Sequence, residues 1–378
     1  MRSLDQIPDA DLRGKRVLVR AGLDVPLDAK GEVSDLFRVK RAVDTLRYLH
    51  ERGAKTIILS HIGRELTETN APVARSLARF IPLTYIPDLL GVMAQTAITA
   101  MREGDTVMLE NLRHDPREVA NDDTFALELS RLGDIYVDDA FSAMHRAHAS
   151  IVGIAKHLPS YAGLLARDEI RTLSLARTPV QPSVAILGGS KFETKEPLVG
   201  ELLKRYDHLF LTGALANDVF KAKGYSTGTS LISKELPCEK VLLHPHFVTP
   251  IDVTVVGADA QARVKKPQEV AAEDMIVDIG PDSLALVAAH LENANFILWN
   301  GPTGIYEQGF VHYTHGIAEI IAKRVAHGAQ AVIGGGDTAA AIEGSGISLE
   351  TLGFVSTGGG AMLDYLLHGT LPGIKALT

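Results

Sequence analysis

Four apolar runs in this chain each end on arginine, three of them with histidine close by. Arg20 follows KRVLV, and Arg38 opens the helical stretch after it. TIILS leads to His61–Ile62–Gly63–Arg64, TVMLE to Asn111–Leu112–Arg113–His114, and IYVDDAF to His145–Arg146–Ala147–His148. A guanidinium is a planar fork that grips phosphate or carboxylate through two parallel bonds. Each charge-assisted bond is worth roughly 1.5–3 kcal/mol. One loop arginine is most simply solvated surface, and any single cation here has Glu110, Asp138 or Asp139 as a candidate partner. As a set, they point to a small polyanion such as a phosphorylated carboxylic acid.

The second half carries glycine where the first carries arginine. SVAIL runs into Gly188–Gly189–Ser190–Lys191, with Lys195 a turn further on, and HLFL meets Thr212–Gly213–Ala214. FILW meets Asn300–Gly301–Pro302–Thr303–Gly304, and AVI meets Gly334–Gly335–Gly336–Asp337–Thr338. Phe354–Val355 leads to Ser356–Thr357–Gly358–Gly359–Gly360. Glycine lets backbone approach a ligand, and a helix start offers free N–H groups at a positive dipole end. Several such turns make a cradle for nucleotide phosphates. Asp337 is either a plain helix N-cap or the holder of a magnesium ion bridging those phosphates. Neither the G-x-x-x-x-G-K-[ST] loop nor a dinucleotide G-x-G-x-x-G after the first strand is present, nor is the protein-kinase catalytic loop.

The elements that must position these residues alternate. Lys15–Val19, Thr56–Ser60, Thr106–Leu109 and Ile135–Val137 read as buried strands, as do Ser183–Leu187, His208–Leu211, Val253–Val256, Phe296–Trp299 and Ala331–Ile333. Between them, Arg38–Arg52 places Val39, Val43, Leu46 and Leu49 on one helical face, and Asp282–Leu291 and Ile317–His327 are further helices. Alternation of this length predicts an α/β fold of two doubly wound parallel-sheet domains, Rossmann-like lobes joined by a helix. In such sheets ligands sit at the carboxyl ends of strands, where the arginines and glycines lie.

Size and composition agree. The chain has 378 residues, more than one core usually holds. Prolines 159, 179 and 182 bracket a helical stretch at 159–178, which would join domains at 1–158 and 179–358, with 359–378 packing back on the first. The net charge of −8 disfavours nucleic acid and anionic membranes as partners, so an anionic substrate needs a local patch of cations. Cys238 is the only cysteine, which excludes an internal disulfide. No apolar run approaches the ~20 residues that span a bilayer. A cytoplasmic monomer is expected.

Ten ordered segments resemble phosphoglycerate kinase: RVLVRAGLDVPL, FRVKRA, SHIGR, LENLRHDPRE, YVDDAFSAMHRAHAS, VAILGGSKFETK, DIGP, ILWNGPTGIYE, VIGGGDTAAAI and FVSTGGGAMLDYL. The resemblance runs end to end. It implies reversible phosphoryl transfer from 1,3-bisphosphoglycerate to Mg-ADP, giving 3-phosphoglycerate and ATP, across a central cleft between the lobes. By the same resemblance the first lobe binds the acid phosphate, with Arg20, Asp24, His61, Arg64, Arg113 and Arg146 at the substrate and Arg38 at the transferring group. The second binds the nucleotide. There Lys191 would stabilise the phosphoryl in flight, with Gly359 and Gly360 offering N–H groups to it. Lys195 and Gly189 would serve the nucleotide phosphates, Asp337 the metal, Glu307 the ribose, and Gly213 and Pro302 the adenosine. Asn300, Gly336 and Thr338 would line the phosphate region.

One segment departs from the pattern. The family usually shows Arg-x-Asp-x-Asn-Val-Pro after the first strand, whereas this chain has Gly22 for the Asp and Asp24 for the Asn. Gly22 bonds only through backbone, and Asp24 puts an anion beside an anionic ligand. The departure predicts a raised KM for 3-phosphoglycerate relative to a Gly22→Asp/Asp24→Asn double mutant. It also motivates two other readings: a family member with a changed acid substrate, or one that binds nucleotide without catalysis. A dehydrogenase fits the fold but lacks the dinucleotide fingerprint.

Overall fold

The computed structural model describes residues 1–378 except Ser190, Lys191, Glu193 and Thr194. The chain divides into two compact units: unit 1 is Met1–Arg171 with Thr370–Thr378, and unit 2 is Thr172–Gly369. The division falls inside the helix Leu164–Arg177, and Gly359–His368 belongs to unit 2. The expected connecting segment 159–178 also begins differently, because Ser160–Ala162 is a strand.

Unit 1 is built on a six-stranded sheet. In chain order its strands are β1 (Arg16–Ala21), β2 (Lys55–Leu59), β3 (Thr84–Tyr85), β4 (Thr106–Met108), β5 (Ile135–Asp139) and β6 (Ser160–Ala162). Their spatial order is β3-β4-β2-β1-β5-β6, every pair parallel. The central strands are buried almost throughout, as a sheet covered on both faces requires. Between β1 and β2, the helix Phe37–Glu51 buries Val39, Ala42, Val43, Leu46 and Leu49, the three-to-four-residue stripe expected of an amphipathic helix. The chain builds outward from β1 to β3, then returns to β5 on the other side. That reversal leaves a crevice at the carboxyl ends of β1 and β5.

Unit 2 repeats the plan with β7 (Ser183–Leu187), β8 (His208–Leu211), β9 (Phe247–Val248), β13 (Phe296–Asn300), β14 (Gln330–Gly334) and β15 (Phe354–Val355). They form a parallel sheet ordered β15-β14-β13-β7-β8-β9, whose reversal lies between β7 and β13.

One strand expectation needs correcting. Val253–Val256 (β10) is a strand, but it stands outside the parallel sheet. It is the middle of a separate antiparallel sheet with β11 (Ala262–Lys265) and β12 (Met275–Ile279). The connection from β10 to β11 is only a turn, Gly257–Gln261, with Ala260 at φ 58°. A turn that short permits only antiparallel pairing. The apolar side of this sheet packs on Ala216 and Phe220 of the helix Ala214–Ala222.

Candidate functional site

In unit 1 the strand ends bring the predicted cations to one region. Arg20, the penultimate residue of β1, has no exposed surface, and its guanidinium is fully engaged. Nε donates to Ser150 Oγ at 2.9 Å, one terminal nitrogen donates to the Ala21 carbonyl, and the other to His61 Nδ1. Arg20 therefore stands behind the basic surface and acts on it through His61. Accepting at Nδ1 puts the ring proton on Nε2, which lies 3.6 Å from Asp24 Oδ2. Burial pushes the His61 imidazolium down to about 3; Asp24 opposes that shift and the Arg20 charge adds to it. His61 is a neutral, oriented ring rather than a further cation.

Asp24 is less exposed to repulsion than its charge suggests. Its Oδ1 accepts from the Gly63 N–H at 2.9 Å, and its carbonyl accepts from the Arg38 guanidinium. Burial alone would raise its carboxyl, but His61, the Gly63 N–H and Arg38 together hold it at about 2. The Gly63 turn is shaped by glycine: φ is +64°, and Glu68 caps the Arg64 and Glu65 N–H groups where a Cβ would stand. Arg113 donates to the Gly63 carbonyl, which ties the β4 end to the β2 end. Arg64 is exposed, while Arg113, Arg146 and Arg38 are half-buried. The Arg146 guanidinium lies below its ordinary value, first through burial and then through repulsion by Arg113, with Asp24 partly compensating. That repulsion means like charges have been gathered.

Behind Arg20 runs a chain of contacts that the sequence did not disclose. Ser150 donates to buried Glu118 through its hydroxyl at 2.6 Å and its N–H at 2.9 Å. Burial raises the Glu118 carboxyl, and the Arg20 charge works against that rise. His148 Nδ1 lies 3.7 Å from Glu118, and burial with three nearby arginines lowers its imidazole to about 4. No spacing rule links Glu118 to Ser150 or Arg20, so only packing could reveal the chain.

In unit 2 a cavity of about 600 Å³ opens beside the carboxyl ends of β7, β8 and β13. Gly189, Lys195, Gly213, Pro302, Glu307 and Asp337, which the family resemblance assigns to the nucleotide and its metal, are among the residues that line it. Its far wall comes from the antiparallel sheet through Val253 and Met275–Ile279, a contribution the strand reading missed. The glycines are there because two turns nearly touch. A Cβ on Gly188 would stand 2.4 Å from the Pro302 carbonyl oxygen, and one on Gly301 (φ +95°) 2.6 Å from the Gly188 carbonyl carbon. Gly213, at φ +60°, precedes the helix Ala214–Ala222 and faces the Gly189 nitrogen.

Lys195 Nζ donates to the Gly188 carbonyl at 3.0 Å. Burial lowers its ammonium, and the charge of Asp337 pulls the other way. Asp337 is exposed at the start of the helix Gly336–Ile342, with Tyr306 Oη donating to its Oδ1 at 3.3 Å. Asn300 and Thr338 are buried and do not line the cavity. Thr338 Oγ1 accepts from the Gly301 N–H at 2.8 Å and donates to the Gly334 carbonyl at 2.7 Å, so it fastens two glycine turns together. Gly336 is exposed, and Gly359 and Gly360 open the helix Gly359–His368. Gly359 lies near Gly335, since a Cβ there would come within 3.8 Å of the Gly335 Cα. Lys191 lies outside the described residues. Among the described residues no group of three or more His, Cys, Asp or Glu is arranged to hold a metal ion, and no helix is long and apolar enough to cross a membrane.

Comparison with known proteins follows the same outline. The family described as phosphoglycerate kinase matches residues 7–369. The phosphoglycerate kinases of Chloroflexus aggregans and Salinispora tropica are 38% and 39% identical, the first over 98% of both chains and the second over 100% of this chain and 99% of its own. The solved phosphoglycerate kinase of Coxiella burnetii superposes with a TM-score of 0.80 at 35% identity, and that of Pyrococcus horikoshii OT3 with 0.87 at 29%; each alignment covers 100% of this chain and 98% of the other.

Proposed function

This chain belongs to the phosphoglycerate kinase family, and from that membership we propose how its residues divide the work of transferring a phosphoryl group between ATP and the carboxylate of 3-phosphoglycerate. The observation that carries the reading is the gathering of Arg64, Arg113 and Arg146 close enough to repel one another, with Arg113 on the Gly63 carbonyl and Arg38 on the Asp24 carbonyl beside them. Such a set repels itself until an anion joins it. Arg64, Arg113 and Arg146 bind the phosphate of the acid substrate. Arg20 and His61 hold that surface in place from behind.

The acceptor is already a carboxylate at neutral pH, so its oxygen attacks the γ-phosphorus without losing a proton. No general base is required, which suits a His61 that is neutral and accepts from Arg20 at Nδ1. What the reaction needs is cationic compensation as charge spreads over the transferring group. Arg38, held by the Asp24 carbonyl, supplies it from unit 1; Lys191 is its proposed counterpart in unit 2. The cavity in unit 2 takes the nucleotide, with Glu307 at the ribose, Gly213 and Pro302 at the adenosine, and Lys195 at the phosphates. Asn300, Gly336 and Thr338 shape the phosphate region, and the N–H groups of Gly359 and Gly360 face the phosphoryl group.

A lone carboxylate completed by substrate phosphates is a usual way to bind magnesium, and Asp337, exposed beside Lys195, fits it. Bound magnesium would neutralise charge on the nucleotide phosphates. Closure that excludes water protects the acyl phosphate; we propose such closure with Leu164–Arg177 as the hinge. We further propose a cytoplasmic monomer that does not bind nucleic acid, in keeping with the single cysteine and net charge of −8.

The test is steady-state turnover with 3-phosphoglycerate and Mg·ATP, comparing wild type with Arg38→Ala. The expected fall in kcat is about 10³-fold or more, with the KM for ATP unchanged. Equal turnover of the two proteins would remove Arg38 from the mechanism.

A further inference from the structure

Gly22 lies one residue past β1, between Arg20 and Asp24. A Cβ at this position would stand 2.8 Å from Ser142 Oγ and 3.4 Å from the Ala140 Cα. The Ser142 hydroxyl therefore occupies the room that a side chain at position 22 would need. Ser142 sits on the single turn Phe141–Ala143, whose flanking residues are fully buried and whose backbone is tied by Ala143 N–H to Ala140 and Met144 N–H to Phe141. The same segment then places Arg146, whose N–H bonds the Ala143 carbonyl at 3.0 Å. Ser142 is half-exposed, and its hydroxyl has no hydrogen-bond partner among the described residues. It is a held donor with nothing to donate to.

Asp24, two residues after Gly22, defines what is missing. The Asp24 carboxylate already receives the Gly63 N–H and faces His61, and an ionised carboxylate can only accept. It can take a proton-bearing group of a ligand, such as an alcohol, but can give nothing to an anionic oxygen. A serine hydroxyl both donates and accepts.

We propose that Ser142 is a substrate-binding residue whose hydroxyl donates to a carboxylate oxygen of the acid substrate, in the space left free by the missing side chain at Gly22, while Asp24 accepts from the substrate's hydroxyl. The ligand class is a phosphorylated 2-hydroxy carboxylate. This rests on the phosphoglycerate kinase reading above and narrows it: the departure at 22 and 24 is compensated within unit 1.

The experiment measures KM for 3-phosphoglycerate and for Mg·ATP separately, together with the melting temperature as a check on folding. Ser142→Ala is expected to raise the KM for 3-phosphoglycerate about tenfold, equivalent to ~1.4 kcal/mol, with the KM for ATP unmoved. Ser142→Thr, which keeps the hydroxyl, should restore most of the loss. Gly22→Ala offers an independent route, because its Cβ must push the Ser142 hydroxyl aside and so should raise the same KM. An unchanged KM for 3-phosphoglycerate in Ser142→Ala, or an equal rise for both substrates, overturns the proposal. Wild-type protein without turnover would instead overturn the functional reading itself, and this assignment with it.

Discussion

Replacing His61 by glutamine keeps an acceptor for Arg20 and a donor for Asp24 but removes the titrating ring. In the folded protein that ring is held neutral down to about pH 3, whereas in the unfolded chain it protonates near its ordinary value of 6.5. The folded state therefore binds fewer protons than the unfolded state between those limits. Stability owed to this site is intact above pH 6.5 and falls as pH drops toward 3. The slope approaches about 1.36 kcal/mol per pH unit once the unfolded-state ring is protonated, so acidification from roughly pH 6.5 to 4.5 should cost the wild type about 2 kcal/mol that His61→Gln does not lose. Asp24, held at about 2, stays ionised in the folded state across that window and does not blur the comparison. Urea unfolding followed by far-ultraviolet circular dichroism at several pH values gives the difference curve. Ring proton shifts, assigned by comparison with His61→Gln, give the titration directly. Parallel stability curves, or a ring that titrates near 6.5, would refute both the neutral tautomer and the Arg20–His61–Asp24 arrangement built on it.

Two further outcomes concern unit 2. Thr338→Val keeps the shape but leaves the buried Gly301 N–H and Gly334 carbonyl without their shared hydroxyl. About 2 kcal/mol of stability should be lost, seen as a melting temperature lower by roughly 6 °C for a unit of this size. Trp299, the only tryptophan, donates to the Gly301 carbonyl at 2.8 Å, so its fluorescence reports the same turn; an unchanged melt would show that the hydroxyl fastens nothing. Gly189→Ala puts a Cβ at φ +104° and 2.4 Å from Lys195 Nζ. Displacing that ammonium should raise the KM for ATP about tenfold and leave the KM for 3-phosphoglycerate alone, a split that isothermal titration with ADP checks independently.

The alternation of buried strands and helices was legible because apolar periodicity is a local property. Phe37–Glu51 and β7 appear within a residue or so of where the pattern places them. Val253–Val256 shows the limit. Its composition gives a strand, but whether that strand joins a parallel or an antiparallel sheet depends on its partners and on the length of chain between them. The strand β6 hid inside a helical stretch because three residues carry too little periodicity to be told apart.

The site divides the same way. Residue type and position after a strand settled which side chains could meet: guanidinium groups from four strand ends of unit 1, and glycine turns with Lys195 and Asp337 in unit 2. Charge state and access were beyond the sequence. Arg20 reads as one cation among several, yet burial turns it inward onto Ser150 and His61, and His61 loses its charge through burial beside that arginine. Ser142, unremarked in the sequence, gains its place only because β1 and β5 lie side by side and Gly22 leaves room between them. Sequence determined the chemical inventory, since residue types and their order are local facts. Tertiary structure decided which members of it face solvent, which carry charge and which touch, because burial and distance exist only once the chain has folded.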